Sequence, residues 1–112
     1  IDSGEDFNVI YAENDDMAKG AVAALDKANI SHGVGKDVVV MGFDCNKWAL
    51  QELLDQNWNY DGQCNPFQSS YIDSVIKDLE AGKTITEKVI IMDEKGFDAT
   101  TITQEDVDKY GI

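Results

Sequence analysis

The sequence predicts an α/β fold built on a doubly wound, mostly parallel sheet, and three observations carry that prediction. Two short apolar runs, FNVIYA at 7–12 and VVVMGF at 38–43, break off abruptly at polar residues, as buried strands do at their C-terminal ends. Between and after them, apolar residues recur at helical spacing around Met17–Ala28, Trp48–Leu54 and Tyr71–Leu79, each giving one apolar face. The resulting order, β-α-β-α-β-α-β with an irregular tail, is the alternation that parallel strands joined by crossover helices require.

The first strand, 7–12, stops at Glu13, Asn14 and Asp15. Asn14 or Asp15 can accept the orphan N–H groups of the following helix, whose apolar face is Met17, Ala18, Ala21, Val22, Leu25 and Ala28 and which runs to about Asn29. His32 and Gly33 fall in a polar loop, where the lone histidine reads as an ordinary surface residue. The run 38–43 is the strongest strand signal, because a continuous β-branched stretch suits a central parallel strand; Asp44 ends it. A second helix carries Trp48, Ala49, Leu50, Leu53 and Leu54, and the polar turn after it holds a short strand around Tyr60–Cys64. Pro66 is suited to the first helical position of a third helix through Tyr71, Ile72, Val75, Ile76 and Leu79, with Gly82 placed to end it. Lys88–Met92 reads as another strand and Gly96–Thr101 as a turn into a shorter extended segment. Thr103 and Asp106 then have capping-box spacing before a terminal helix.

The chain has 112 residues, 22 acidic and 9 basic side chains, and a formal charge of −13. Every basic residue is a lysine, so the arginine forks and concentrated positive charge of a phosphate-tracking surface are missing and direct nucleic-acid binding is disfavoured. No stretch approaches the roughly 20 apolar residues that cross a bilayer, so no membrane insertion is expected. There is also no glycine-rich phosphate loop, no His/Cys zinc spacing and no nucleophile elbow; no cofactor is expected, and the chain does not read as an enzyme.

The chemistry that remains is hydrogen bonding at strand ends. Asn14 and Asp44 follow two candidate parallel strands, and Gln63, Cys64 and Asn65 follow a third. A carboxylate accepts two hydroxyl hydrogens and a carboxamide both donates and accepts, which matches the alternating needs of vicinal sugar hydroxyls. Each residue also has a structural role open to it: Asn14 or Asp15 as helix cap, Asp44 as partner of loop amides, Asn65 as a turn residue. Phe43, Trp48 and Trp58 offer aromatic faces that either stack on a sugar or pack internally, with Phe43 best placed for the former.

YAENDDMAKGAVAAL at 11–25, VVVMGFD at 38–44, QCNPF at 63–67 and VIKDLEAGKTI at 75–85 resemble the type I periplasmic sugar-binding proteins, the ribose, galactose and arabinose receptor family. The likeness is greatest to its galactofuranose-receptor-like subgroup, in which CNP follows the third strand and a TQE-like segment, here Thr103–Glu105, lies near the end. The resemblance implies that residues 1–112 are a partial C-terminal sugar-binding lobe, incomplete without an N-terminal portion. In that family two lobes close over a neutral monosaccharide or small oligosaccharide and present it to an ABC transporter permease. It implies a location in the periplasm or on the outer face of a bacterial membrane, reached through an export signal or lipid anchor. It makes Asn14 and Asp44 the principal hydroxyl partners and Phe43 a lining residue. Many relatives carry a glutamine two residues before the proline that matches Pro66; Cys64 stands there, so a third bond falls to Gln63 or Asn65 or is lost. The chain also opens almost at once on a strand, without the earlier β-α unit such a domain needs, so a fragment or cleaved product is expected, with a sheet edge either exposed or completed by another polypeptide.

Cys45 and Cys64 each follow a candidate strand, and neighbouring strand ends would bring them within pairing distance, so a disulfide is an expectation in an exported protein. Two other functions share parts of the pattern. The effector lobe of a lactose/ribose-type repressor shares the fold and the ND-then-D arrangement, and a Mg2+-dependent phosphoryl-transfer enzyme could use Asp15, Asp16 and Asp44.

Overall fold

Three of the expected strands pair side by side. β1 (Val9–Tyr11), β2 (Val39–Phe43) and β3 (Tyr60–Gly62) are parallel neighbours in that order, and β4 (Gly96–Asp98) joins β3 antiparallel. The helices are α1 (Asp15–Lys27), α2 (Lys47–Leu54), α3 (Ser69–Glu80) and α4 (Gln104–Tyr110). The computed structural model describes residues 1–112, which fall into two units: Ile1–Cys64 with Lys95–Ile112, and Asn65–Glu94. The mostly parallel α/β sheet belongs to the first.

In that unit α1 packs on β1 and β2, α2 on β3 and β4, and α4 on α2. Because alternate residues of a strand face opposite sides, one face of the sheet presents Ile10, Val40, Gly42, Asp61 and Phe97 to these helices. Val40, Leu25, Ala49, Leu50, Leu53, Trp58 and Val107 are all buried there. The other face carries Val9, Tyr11, Met41, Phe43 and Tyr60. Tyr11 is 63% exposed and Val9 49%. On this second face two glycines are covered by aromatic rings. A Cβ at Gly62 would come within 2.6 Å of the Phe43 ring, and one at Gly96 would collide with Tyr60.

The helix ends follow from local chemistry. Asn14 caps α1, its side-chain oxygen accepting from Met17 N at 2.8 Å, and Thr103 with Asp106 forms the expected capping box on α4. α1 and α2 close through residues of positive φ, Asn29 (57°) and Gln56 (63°). In each, paired backbone bonds return to the last turn: Ile30 N to the Leu25 carbonyl and Asn29 N to Asp26, then Asn57 N to Glu52 and Gln56 N to Leu53. This is the left-handed stop that lets a chain leave a helix without orphaned carbonyls.

In the second unit, Gly82 ends α3 in the same way, with φ +74°. Two expectations are corrected here. Helix α3 begins at Ser69 and not at Pro66, because Asn65 Oδ1 accepts from Phe67 N and the Pro66 carbonyl from Gln68 N, forming a turn ahead of the helix. Lys88–Met92 is not a strand. Its apolar run has no neighbouring strand to pair with, and Val89, Ile90 and Ile91 are exposed by 72%, 49% and 87%. The fourth strand lies later, at Gly96–Asp98, with the turn after it.

Candidate functional site

Parallel pairing brings the C-terminal ends of β1, β2 and β3 to one rim, and the register makes those ends level. Tyr11 pairs with Met41, and Met41 with Tyr60; Asn14, Asp44 and Gln63 each stand three residues beyond that shared rung. Adjacent strands are about 4.8 Å apart, so an amide, a carboxylate and a second amide follow neighbouring strand ends along one rim.

Asn14 is half-buried, and with its oxygen committed to the α1 cap, its NH2 group remains as a donor. Asp44 is half-buried in a sharp turn: its φ is 117° and that of Cys45 is 61°, and its N–H donates to the Gly62 carbonyl at 2.9 Å. Phe43 lies one residue earlier, its ring 5.3 Å from that of Tyr11 and covering Gly62. Gln63 is tied to the strand entrance opposite, donating its N–H to the Lys95 carbonyl at 2.8 Å and accepting from Lys95 N through Oε1 at 3.3 Å. Asn65 belongs to the second unit, where its N–H donates to Glu94 Oε1 at 2.7 Å. The tryptophans pack internally: Trp58 is buried, and Trp48 meets it edge-on at 5.8 Å with Lys19 Nζ 4.4 Å above the Trp48 ring.

Beneath the rim lies a carboxyl pair that the sequence does not reveal as a pair, although Asp15 is there a candidate helix cap and Mg2+ ligand. Asp15 and Asp61 are fully buried. Asp15 Oδ2 accepts from Asn46 N at 2.8 Å and from Asn46 Nδ2 at 3.0 Å, and Asp61 Oδ1 accepts from Cys45 N at 3.4 Å. Burial raises Asp15 above the usual carboxylate range against the lowering effect of the Asn46 bonds. Burial, then the Asp15 charge, pushes Asp61 up to about 8. The available signal was an aspartate in the middle of YDG, a short strand with no basic residue near it in sequence. No group of three or more His, Cys, Asp or Glu side chains is arranged to hold a metal ion.

The expected disulfide is not formed. Both cysteines are free, Cys45 buried and Cys64 exposed, because the left-handed turn directs the Cys45 thiol inward to Asp61, with Sγ 3.8 Å from Oδ1. Burial and the neighbouring carboxyls push that thiol up, which leaves it unreactive. Alkylation of native protein without reductant should therefore label Cys64 alone, with Cys45 labelled only after unfolding. A Cys45–Cys64 crosslinked peptide, or equal labelling of both thiols, would contradict this arrangement.

The carboxyl ends of parallel strands, where these polar residues lie, are where open α/β sheets bind their ligands. No family model matches the chain. Over 92 residues, 82% of its length, it is 38% identical to the fructose import binding protein of Bifidobacterium longum, and the match covers 27% of that protein. Among solved structures, 88% of the chain aligns with 32% of a Mycobacterium smegmatis protein in complex with β-D-fucofuranose, at TM-score 0.72 and 29% identity. A galactofuranose binding protein shares the fold, at TM-score 0.78 and 24% identity, over 97% of this chain and 36% of that one. In sequence and fold the chain resembles the type I periplasmic sugar-binding proteins, and it spans about a third or less of the length of those it matches.

Proposed function

We propose that residues 1–112 are part of the C-terminal lobe of an extracytoplasmic sugar-binding protein that serves an ABC importer and binds its ligand without chemical conversion. The observation that carries this reading is the level row of Asn14, Asp44 and Gln63, flanked by the Phe43 ring. A carboxylate between two carboxamides offers acceptors and donors at the spacing of adjacent strands, suited to successive hydroxyls of a neutral sugar. The ring supplies an apolar surface for the C–H face. The import relative and the fucofuranose complex support the ligand class. The permease is the partner to which such a protein delivers its sugar, and the lobe facing this one comes from chain outside residues 1–112.

Calorimetric titration of the full-length chain with pentoses, hexoses in both ring forms and short oligosaccharides tests the proposal, with product analysis after incubation. Saturable binding of a neutral sugar recovered unchanged is the expected result. Conversion of the sugar, or preference for a nucleotide or amino acid, would overturn it. Residues 1–112 alone should bind weakly, since half a cleft leaves one face of the sugar in water.

A further inference from the structure

We propose that Asp15 and Asp61 share a single proton and act as positioning residues, holding the turn Asp44–Asn46 in the shape that presents Asp44 to sugar. The last step rests on the sugar-binding reading above; the shared proton rests on the buried geometry alone.

The turn places two successive non-glycine residues at positive φ, Asp44 and Cys45, a conformation that persists only where its surroundings impose it. Three ties do so. Asp44 N is held by the Gly62 carbonyl, Cys45 N by Asp61 Oδ1, and Asn46 by Asp15 Oδ2 through both its backbone and side-chain N–H groups. Both carboxyls thus spend one oxygen on the turn. The other two oxygens, Asp15 Oδ1 and Asp61 Oδ2, are buried and receive no hydrogen bond from any donor group, a costly state for a polar atom. One proton satisfies both: the Asp61 O–H donates to the Asp15 carboxylate, the two groups being brought together at Gly42, which pairs with Asp61 in the sheet and stands against Asp15 Oδ1. Strand β2 makes room for the pair with Gly42, where a Cβ would stand 2.6 Å from Asp15 Oδ1 and 2.9 Å from Trp58 Cζ3.

The ionisable groups acting on the pair are Asp44 and the Cys45 thiol, both from the turn after β2, and no cation acts on either carboxyl. The hydrogen bonds from Cys45 and Asn46 are thus all that offset a second negative charge, and no cation adds to them. Asp61 is raised from 3.8 to about 8, so between those values the folded protein holds a proton that the unfolded chain releases. Stability from this pair is fully present at low pH, falls as pH rises across that window, and levels above it. The fraction of molecules with the turn intact falls as pH rises through about 8.

The test compares the full-length wild type with Asp61→Asn, whose amide keeps a donor toward Asp15 and an acceptor for Cys45 N but does not titrate. Wild type should show an infrared band of a protonated carboxyl at neutral pH that Asp61→Asn lacks. Its thermal midpoint should fall more steeply between pH 5 and 8 than that of the variant. Affinity for the sugar found in the screen should be about tenfold weaker near pH 9 than near pH 6 in wild type, the loss expected when about a tenth of molecules keep the proton, and nearly constant in Asp61→Asn. Absence of the band in wild type, or an unchanged stability slope in the variant, would overturn the shared proton. A band and slope as expected with sugar affinity independent of pH would overturn the positioning role. If no sugar binds at all, the functional reading fails while band and slope still decide the proton. Should Asp61→Asn not fold, Asp15→Asn makes the same comparison from the other carboxyl.

Discussion

Asp44→Gly in the full-length chain should weaken sugar binding at least tenfold while leaving the fold as stable as the parent's or more so. Each hydrogen bond from a sugar hydroxyl to an ionised carboxylate contributes about 1.5–3 kcal/mol, and every 1.4 kcal/mol is about tenfold in affinity. Glycine is the informative replacement because Asp44 sits at φ 117°. An alanine there would keep the backbone strain and lose the short polar side chain that makes such conformations tolerable, whereas glycine removes side chain and strain together. Calorimetric titration alongside thermal melts separates the two contributions. Parental affinity in a well-folded Asp44→Gly protein would remove this carboxylate from the sugar contacts.

Trp58→Ala should have the opposite signature, a loss of about 3–5 kcal/mol in folding stability with a smaller effect on the sugar affinity of molecules that remain folded. Trp58 is 1% exposed, meets Trp48 edge-on, and fills the space over Gly42 between the sheet and α2. Removing the ring leaves a cavity in a core whose other members, Leu50 and Leu53 of α2 among them, are already buried. Urea unfolding of the parent and variant at equal concentration measures the difference. A loss below about 1 kcal/mol would show that the core relaxes around the missing ring.

Most of the first unit could be read from sequence because its signals are local and mutually consistent. The VVVMGF run became β2, the Met17–Leu25 periodicity became α1, and the Thr103–Asp106 spacing became a capping box. The reading failed where an element depends on a partner. Val89–Ile91 has the composition of a strand, but a strand exists only by pairing, and β4 instead formed from GFD, whose single apolar residue Phe97 gave little signal. Asn14, Asp44 and Gln63 could be placed at strand ends, but their common level is a matter of register, which spacing along the chain does not disclose. Asp15 was legible as a capping candidate and Asp61 as part of a turn. That the two are buried against each other depends on β1, α1 and β3 meeting in three dimensions, and a titratable pair formed that way leaves no pattern in the sequence.

The aromatic-covered glycines of the open sheet face tie together residues that lie far apart in the chain. Phe43 occupies the volume that a side chain at 62 would need, and Tyr60 that of a side chain at 96. Each ring and its glycine form a lock whose halves cannot drift separately over generations: a lineage that gains a side chain at 62 must first shrink residue 43, the residue proposed to line the sugar. On the proposed reading, ligand preference and sheet packing are coupled here, so that a change of sugar achieved by reshaping position 43 would open a hole over Gly62.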